Sequence, residues 1–311
     1  MFISLRKYLI VVLLAATTSA IAQQLPHFTF FTYNYMQYNP AVVGTAPCLD
    51  LKLGMRRQWR GIEGAPTTSF VNMHGKVGKK SKLKFHGLGA VVENDAAGPF
   101  DYTSVQVNYA HHLKLASKYY LAAGLSLGFS QYSADYSEMR FEKQSEETAI
   151  DGVVNDFIFP MFNVGLWLYR ADRFYGLSVR SVNARKIDGF ADSRVQRHFT
   201  FANGYARRLT GELTFKPAFL INYVGRSRAS IDVQALLSYK DKFDVGVGAR
   251  SGHGFSALVK FSAIQYLSVG YAYDVTLNKI RYVAGSTHEI VIGIRACKEA
   301  SKLHVPCSAY D

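Results

Sequence analysis

The side chains that could serve as catalysts are spread along the chain instead of being gathered at one place. A hydrolase needs a nucleophile with a base held beside it, so the histidines are the first residues to consider. His111 and His112 end one predicted strand, where successive side chains point to opposite faces. His198, His253 and His288 fall on other segments, with no acidic partner at a catalytic spacing. We therefore predict that the protein is not an enzyme and has no catalytic residue.

Ligands for a cofactor or a metal ion are also missing from the sequence pattern. The chain has no glycine-rich nucleotide loop and no group of residues at metal-ligand spacing, so we predict no cofactor and no metal. The three cysteines, Cys48, Cys297 and Cys307, do not have the spacing of a zinc site either. The function must then come from how the protein is placed and what it binds.

The N-terminal residues 1–22 have the pattern of a secretory signal peptide. Arg6 and Lys7 form its positive end, an apolar stretch covers residues 8–16, and Ala20-Ile21-Ala22 is a small-residue cleavage site. The apolar stretch is well short of the ~20 residues that a membrane-spanning helix needs, which disfavours an N-terminal anchor. No cysteine follows the cleavage site, so a lipoprotein is disfavoured as well. Export without a spanning helix leaves the periplasm, the outer membrane or the exterior.

The chain is basic, with a formal net charge of +13, or 13 − 2 = +11 once Arg6 and Lys7 leave with the signal peptide. A basic surface favours acidic partners, such as lipopolysaccharide phosphates or an acidic protein. Nucleic acid is excluded as a partner because the chain is exported. The charges are scattered over many predicted strands and turns, so we expect most of them to lie on solvated turns or inside a barrel.

A two-residue alternation of apolar and small or polar residues runs through most of the chain. It is clearest at residues 265–295, where successive side chains of a strand must face opposite sides. One face of this hairpin carries Leu267, Val269, Tyr271, Tyr273, Ile290, Ile292 and Ile294. No predicted helix is left to cover such faces. We therefore predict an all-β fold, a closed antiparallel transmembrane β-barrel whose apolar face meets lipid.

About fourteen segments near the ~10-residue length of a tilted spanning strand can be delimited. They cover residues 49–60, 67–77, 83–94, 102–114, 118–133, 157–170, 173–181, 196–209, 213–224, 229–240, 243–250, 254–262, 265–275 and 287–296. Segment 157–170 is the least regular, because Pro160 lies inside it. Every second connection is tight and the long ones lie between these, as in outer-membrane barrels with short periplasmic turns. By this parity both termini are expected in the periplasm.

The strands divide the chain into a signal peptide (1–22), a periplasmic N-terminal arm (23–48), an outer-membrane barrel (49–297) and a periplasmic tail (298–311). The arm is rich in aromatic residues but interrupted by Pro26, Pro40, Gly44 and Pro47. A flexible linker would not carry so many Phe and Tyr residues. We interpret it as an ordered periplasmic arm or as a segment that folds into the barrel mouth.

Closure of the barrel brings the cysteines to one rim. Cys48 precedes the first strand, Cys297 follows the last, and these two strands become neighbours in a closed sheet. In an exported chain a disulfide can form there. Cys48 with Cys297, or either of these with Cys307, are the possible pairings, and one thiol remains.

Charged residues also alternate onto the face opposite lipid. This predicted lumen set comprises Asp232, Lys216, Asp244, Arg250, Lys260, Asp274, Glu289 and Arg295. Charges of both signs could line a selective pore, so a porin-like channel for small solutes is the alternative function. Pairing across a packed barrel is the stronger interpretation, with Asp274 and Glu289 bonded to Arg250 or Arg295. The many lumen-side Gly and Ala residues leave room for neighbouring side chains or an inserted loop.

Five short motifs are unusual enough to compare with known families. They are Asn39-Pro40-Ala41-Val42-Val43-Gly44; Gln58-Trp59-Arg60-Gly61 with Gly64-Ala65-Pro66-Thr67; Gly87-Leu88-Gly89 with Asn94-Asp95 and Gly98; Gly270-Tyr271-Ala272-Tyr273-Asp274; and Gly285-Ser286-Thr287-His288-Glu289-Ile290. In this order and spacing, from about Leu25 to Arg295, the chain resembles the PorP/SprF family of type IX secretion system membrane proteins of Bacteroidetes. It departs from the family pattern by an extra residue, Thr287, and by a tail that runs on from Cys297.

The resemblance implies an outer-membrane barrel tied to type IX secretion and, in gliding bacteria, to surface adhesins. The implied partners are secretion components, a large exported surface protein, or both, besides outer-membrane lipid and lipopolysaccharide. Three of the motifs gather at the outer rim by strand parity. The residues expected to contact an exported partner there are Trp59, Arg60, Gly64, Pro66, Asn94, Asp95 and Asp274. Asn39 and Pro40 are expected to meet periplasmic machinery with the arm.

Each of these residues also has a purely structural interpretation. Trp59 at the outer end of a strand is typical of an anchor at headgroup level. Gly64 and Pro66 shape a loop, and Asn94 with Asp95 suits an ordinary turn. The docking hypothesis therefore rests on the set of motifs and not on any single residue.

Overall fold

A computed structural model of the chain describes residues 26–46, 48–78, 83–115, 118–135, 155–184, 195–225, 228–264, 266–277 and 282–296. Almost all of them belong to one antiparallel sheet that closes on itself. The strands are β1 (Leu49–Arg57), β2 (Thr67–Val77), β3 (Lys84–Ala97), β4 (Phe100–Lys114), β5 (Tyr120–Ala134), β6 (Asn155–Arg170), β7 (Arg173–Arg180), β8 (His198–Tyr205), β9 (Arg207–Arg208), β10 (Leu213–Val224), β11 (Ser230–Tyr239), β12 (Phe243–Arg250), β13 (Gly254–Ile264), β14 (Leu267–Thr276) and β15 (Thr287–Ala296). Across these residues, no helix has both the length and the apolar character to cross a membrane.

The ring is complete because β1 pairs with β2 on one side and with β15 on the other. Both β8 and the two-residue β9 pair with β10, so they form one interrupted strand, and 15 − 1 gives fourteen. The interruption lies at Ala206, whose backbone N–H bonds to the Asp172 carbonyl oxygen at 2.7 Å. The predicted closed barrel of about fourteen strands is confirmed, and its strand limits agree closely with the predicted ones.

The alternation predicted from the sequence is present in the barrel wall. On β5, for example, the outward Leu127 is 58% exposed while the neighbouring inward Ser126 is 1% exposed. Exposed Val, Leu, Ile, Phe and Tyr side chains recur in this way on most strands, which gives the outer surface its apolar character. Pro160 fits within β6 because it lies beyond the part of that strand that pairs with β7, residues 164–170.

Residues 26–46, which we call the plug, lie inside the barrel. They contain three short 3-10 helices, Phe31–Tyr33, Tyr35–Gln37 and Pro40–Val42. Every Phe and Tyr side chain of the plug is buried. Together with lumen residues such as Trp167 and Phe174 they form the hydrophobic core. The prediction of a separate periplasmic arm is therefore corrected for residues 26–46, and the alternative, a segment folded into the barrel, holds. Burial inside the lumen removes the aromatic rings from water.

The plug runs along the barrel between its two ends. Pro26 and His27 lie beside His198 and Arg228, at the end where the long loops emerge. Ala46 leads to β1 at the opposite end, which we call the tight-turn end. β15 also finishes there, next to the start of β1. The first described residues thus lie at the end of the barrel opposite the last ones. The expectation that both termini share one side concerns residues outside the described ranges and stays a prediction.

Small wall residues let the plug backbone approach the strands. A Cβ atom placed on Gly124 would collide with the backbone of Ala41, and one on Gly87 would collide with Val43. The lumen-side glycines thus make room for an inserted segment, as the sequence indicated.

We expect Gly124→Leu to lower the free energy of unfolding by about 1–3 kcal/mol, because the new side chain overpacks the lumen against Ala41. Urea unfolding of the barrel in detergent micelles, followed by its heat-modifiable gel migration, measures this. The control is Ala123→Leu, an exposed neighbour on the same strand that faces outward. Equal midpoints for the two variants would contradict the close packing of plug and wall.

Candidate functional site

The β1–β2 loop at the long-loop end is hydrogen-bonded, through Trp59 and Arg60, to the residues around the start of β15. Trp59 N–H donates to Thr287 Oγ1 at 3.3 Å. Arg60 N–H donates to the Ser286 carbonyl at 3.2 Å, and Gly285 N–H donates to the Arg60 carbonyl at 2.8 Å. These bonds form a short ladder between two loops that are more than two hundred residues apart in the sequence. Two of the predicted motifs are therefore in direct contact.

The other side of the same loop contacts the β3–β4 turn. Gly98 N–H donates to the Gly64 carbonyl at 2.8 Å, and Gln58 N–H closes the loop on the Pro66 carbonyl at 2.9 Å. Gly64 and Gly98 have φ of 68° and 57°, a conformation that glycine adopts at no steric cost. We call the combined surface of residues 58–66, 94–100 and 282–287 the rim platform. It joins three of the predicted motifs into one continuous edge.

The rim platform exposes both charged and apolar side chains. Arg60 and Glu63 are exposed, and Tyr282 and Val283 are 76% and 75% exposed. Trp59 is half-buried and has a φ of 48°, which is uncommon for a residue other than glycine and costs on the order of 1–3 kcal/mol. Its predicted role as an interfacial anchor stays a prediction. Exposed large apolar residues framed by charges are typical of a protein-binding surface.

Asn94 and Asp95 lie at the edge of the rim platform, but within β3 instead of in a turn. Asn94 Nδ2 donates to Asp101 Oδ2 at 2.9 Å and to Thr103 Oγ1 at 2.9 Å on β4. Thr68 Oγ1 donates to Asp95 Oδ1 at 2.5 Å. These side-chain bonds extend the β3–β4 hairpin to Ala97 and Phe100, so the predicted turn shrinks to two residues. The structure places both residues at strand ends, where they join neighbouring strands.

A buried charge cluster fixes the plug below the rim platform. Arg56 Nη1 lies 2.7 Å from Asp274 Oδ2 and 3.3 Å from Glu289 Oε2, and it also contacts Thr29 Oγ1. Glu289 accepts the backbone N–H groups of Thr29 at 2.6 Å and Phe30 at 2.9 Å. The cluster thus joins β1, β14 and β15 to the plug.

The sequence prediction paired Asp274 and Glu289 with Arg250 or Arg295. In the structure both carboxylates form an ion pair with Arg56, which the prediction did not include. Arg56 was missed, although it is in phase with the other inward residues of β1, which are Asp50, Lys52 and Gly54. That phase was the signal that could have identified it.

The remaining predicted lumen charges also lie inside the barrel, and three ion pairs account for most of them. Lys260 Nζ is 2.9 Å from Asp244 Oδ2, and Arg295 Nε is 3.9 Å from Asp50 Oδ2. Arg250 pairs with Asp232 and donates to the Phe28 carbonyl of the plug at 3.1 Å. Charges of opposite sign therefore compensate one another within a packed interior.

Asn39 and Pro40 are buried in the lumen, which corrects their predicted contact with periplasmic machinery. Asn39 Nδ2 donates to the carbonyls of Leu166 at 3.0 Å and Leu177 at 3.1 Å, and Asn39 Oδ1 accepts the N–H of Ala41 at 2.9 Å. One side chain thus holds β6 and β7 together and caps the last 3-10 helix of the plug. No surface is left on this pair for a partner.

Several of the described histidines bond to groups of the wall, the rim and the plug, and one of them, His288, has its Nε2 atom 3.2 Å from Ser286 Oγ. His111 and His112 face opposite sides, and His112 bonds to the Val43 carbonyl of the plug at 2.8 Å and to Tyr169 Oη at 3.0 Å. In the part of the chain that the structure describes, no group of three or more His, Cys, Asp or Glu side chains could hold a metal ion. Cys48 is disulfide-bonded. Cys297 and Cys307 lie outside the described residues, so the pairing stays a prediction.

Comparison with known proteins agrees with the barrel fold. The family model described as type IX secretion system membrane protein PorP/SprF matches residues 20–294 of the 311-residue chain. No curated protein matches at significant sequence similarity.

Solved outer-membrane proteins share the fold at low sequence identity. The crystal structure of the Acinetobacter baumannii outer membrane protein Omp33 has a TM-score of 0.50 at 9% identity, covering 81% of this chain and 100% of that one. The P. putida toluene transporter TodX has a TM-score of 0.48 at 9% identity, covering 84% and 93%. A Pseudomonas aeruginosa FadL homologue has a TM-score of 0.49 at 10% identity, covering 87% and 95%. Of these matches, the one to Omp33, at a TM-score of 0.50, supports the barrel fold alone.

Proposed function

Because the chain belongs to the PorP/SprF family of type IX secretion system membrane proteins, we propose that it is a non-enzymatic outer-membrane barrel that docks an exported protein. The exported protein, for example a surface adhesin, contacts the rim platform. Secretion subunits contact the opposite end of the barrel. In this proposal the tight turns face the periplasm and the long loops face outward, as is usual for outer-membrane barrels. The apolar wall contacts membrane lipid, and basic residues near the long-loop end contact lipopolysaccharide phosphates.

The observation that carries the proposal is the rim platform itself. Backbone hydrogen bonds on both sides of residues 58–66 fix the relative positions of three loops before any partner arrives. A preorganised surface loses little conformational entropy on binding, which favours affinity. The exposed side chains of Tyr282 and Arg60 supply the aromatic and cationic groups that are enriched among interface hot spots.

The filled lumen argues for docking over the alternative of a porin-like channel. Plug side chains occupy the middle of the barrel, and the cavities beside them near the long-loop end measure about 30 Å³ and 40 Å³. A cavity of this size holds only a few water molecules, since one needs roughly 10–15 Å³. Solute passage would require the plug to leave, and the electrostatic cluster at Arg56, Asp274 and Glu289 opposes that.

We expect the double variant Trp59→Ala with Arg60→Ala to retain at least about tenfold less exported protein, because Trp and Arg side chains are frequent interface hot spots. The measurement is a pull-down of the full-length barrel in mild detergent, with the associated chains identified and quantified. The matched control, Lys118→Ala with Tyr119→Ala, removes a basic and an aromatic side chain at the tight-turn end. Folding of both variants is verified by heat-modifiable gel migration. Unchanged cargo with the first variant would exclude the rim platform as the docking surface.

A further inference from the structure

A second concave surface lies at the tight-turn end, away from the rim platform. Here the barrel has an open cavity of about 1030 Å³. This volume is at the upper end of the roughly 300–1,000 Å³ that is usual for small-molecule sites. Its lining consists of Tyr33, Ala171, Asp172, Ala206, Arg208, Thr214, Lys216, Lys240, Asp241, Lys242, Lys260, Ser262, Ile264, Tyr266, Leu267, Ser268, Gly293 and Arg295. The cavity is therefore built from the barrel wall, its tight turns and one residue of the plug.

Positive charge predominates in this lining. It has six cationic side chains against two acidic ones, Asp172 and Asp241. Asp172 is itself bonded to Arg170 at 2.8 Å, outside the lining. Deeper in the cavity, Lys260 and Arg295 have the carboxylates of Asp244 and Asp50 as partners. A cleft with a predominance of one sign attracts ligands of the opposite sign.

The cationic residues are distributed from the floor of the cavity to its mouth. Lys216 and Lys260 are buried on neighbouring parts of the wall, while Arg208 and Lys242 are exposed at the tight turns. Lys240, also exposed, lies 3.1 Å from Glu212. A linear anionic ligand could thus contact cations along its length as it enters.

The floor is held in place by the plug. The Tyr33 ring lies 4.7 Å from Lys52 Nζ and 5.3 Å from Lys260 Nζ, both within range for a cation–π contact. Its hydroxyl group contacts Ser268 Oγ. These contacts hold the Tyr33 side chain in place at the base of the cavity.

Three properties of the cavity narrow the choice of occupant. Most of its lining comes from inward-facing residues and from tight turns at the barrel mouth, so a membrane lipid would have to withdraw its acyl chains from the bilayer to enter. The chain's own tail, residues 297–311, carries Lys298 and Lys302 against Glu299 and Asp311, so its side chains have no excess of negative charge. The cavity has room for a short stretch of polypeptide as well as for a small metabolite, so the charge of the lining, and not its size, indicates the occupant.

We infer that the basic cavity at the tight-turn end binds an acidic peptide segment of a partner protein. Carboxylates of the segment pair with Arg208 and Lys242 at the mouth and reach the lysines within. The inference rests on the proposed function only in placing this end toward the periplasm, where a secretion subunit would supply the segment. It adds the chemistry by which that subunit is recognised.

The test uses the full-length barrel in uncharged detergent micelles and a fluorescein-labelled oligoglutamate peptide as the probe. We expect the peptide to bind at low salt, with affinity that falls as salt rises, because the contacts are ionic. Fluorescence anisotropy measures the affinity. The double variant Arg208→Glu with Lys242→Glu is expected to bind at least about tenfold more weakly, since reversing charges at an interface adds repulsion to the loss of attraction.

The matched control is Lys114→Glu with Lys118→Glu, which makes the same charge change at the same end of the barrel but outside the cavity lining. It should bind the peptide nearly as well as the parent protein. Equal weakening in both double variants would overturn the inference in favour of a general charge effect. Absence of peptide binding at low salt would also overturn it. A further arm adds phosphatidylglycerol to the micelles. The cavity would be assigned to lipid instead if this lipid displaced the peptide from the parent protein but no longer bound to the variant with Arg208→Glu and Lys242→Glu.

This experiment and the cargo pull-down fail independently. Loss of cargo in the Trp59 and Arg60 variant with normal oligoglutamate binding would separate the rim platform from the cavity. The opposite result is also informative. If the barrel did not bind oligoglutamate but the Trp59 and Arg60 variant still lost cargo, the cavity inference would be overturned and the docking proposal would stand.

Discussion

Replacing Arg56 with methionine is expected to lower the free energy of unfolding by about 3–5 kcal/mol, which is the usual cost of removing one partner from a buried ion pair. Arg56 is 1% exposed and lies against the carboxylates of Asp274 and Glu289. Methionine fills much of the same volume but has no charge. The substitution would leave Glu289 buried without its cation, even though Glu289 keeps the backbone N–H groups of Thr29 and Phe30.

The measurement is urea unfolding of the barrel in detergent micelles, followed by the fluorescence of tryptophan. Trp167 is fully buried in the core that the plug completes, so its emission reports loss of that packing. Arg57→Met is the control, because Arg57 is the next residue on β1 and is exposed. Surface substitutions of this kind usually change stability by less than about 0.5 kcal/mol.

A second variant tests the cause of the destabilisation. Adding Glu289→Gln to Arg56→Met removes the buried carboxylate that the first change leaves behind. We expect the double variant to recover part of the lost stability, because a neutral amide costs less to bury than an unpaired charge. If Arg56→Met unfolded at the same urea concentration as the parent, the buried cluster would not be what fixes the plug.

Deleting residues 26–46 is expected to turn a silent barrel into a conducting one. A barrel of eight strands is filled by its own side chains, while barrels of about 16–18 strands enclose an aqueous channel. Fourteen strands lie between these cases, and here the interior is completed by the plug. Without it, the polar inward faces of the strands would be hydrated and the lumen would become continuous.

Planar-bilayer recording distinguishes the two states. The parent protein is expected to give no stable conductance steps, and the deletion variant to give steps of open-channel size. Should the deletion variant fail to fold, a protease site in place of Pro47 allows the plug to be cut from β1 after folding and washed out in mild denaturant. A parent protein that conducts as well as the variant would support the solute channel instead of docking. Silence of a folded barrel from which the plug has been removed would contradict its role as the filler of the lumen.

Local pattern was sufficient to predict the wall of this protein. Alternation between apolar and polar residues is a property of each strand alone, and it reports which side chains face lipid wherever a strand is paired on both edges. The positions of Asp244, Lys260 and Glu289 inside the barrel follow from this phase. Closure of the sheet into a barrel could be predicted as well, because the backbone N–H and C=O groups at an open sheet edge would have no hydrogen-bond partners inside a membrane.

The same pattern did not determine what the lumen contains. The aromatic residues of the plug have no period, and their composition suits an ordered arm outside the barrel as well as a segment inside it. Asn39 was assigned to a partner because its motif is distinctive, yet it bonds to carbonyls of Leu166 and Leu177, more than a hundred residues away. Gly87 and Gly124 indicated free space on the lumen side of the wall, but they did not indicate which segment fills that space.

The sequence by itself therefore determined the strands, the lipid-facing surface and the closed sheet, because these follow from interactions between residues close in the chain and from the demand of lipid for paired backbone groups. Only the tertiary structure decided the path of the plug, the pairing of Arg56 with Asp274 and Glu289, the joining of three loops into the rim platform and the cavity at the opposite end. Each of these depends on side chains and loops distant in the sequence. Barrel closure brings these residues together, and contacts between residues distant in the sequence produce no periodic pattern from which they could be predicted.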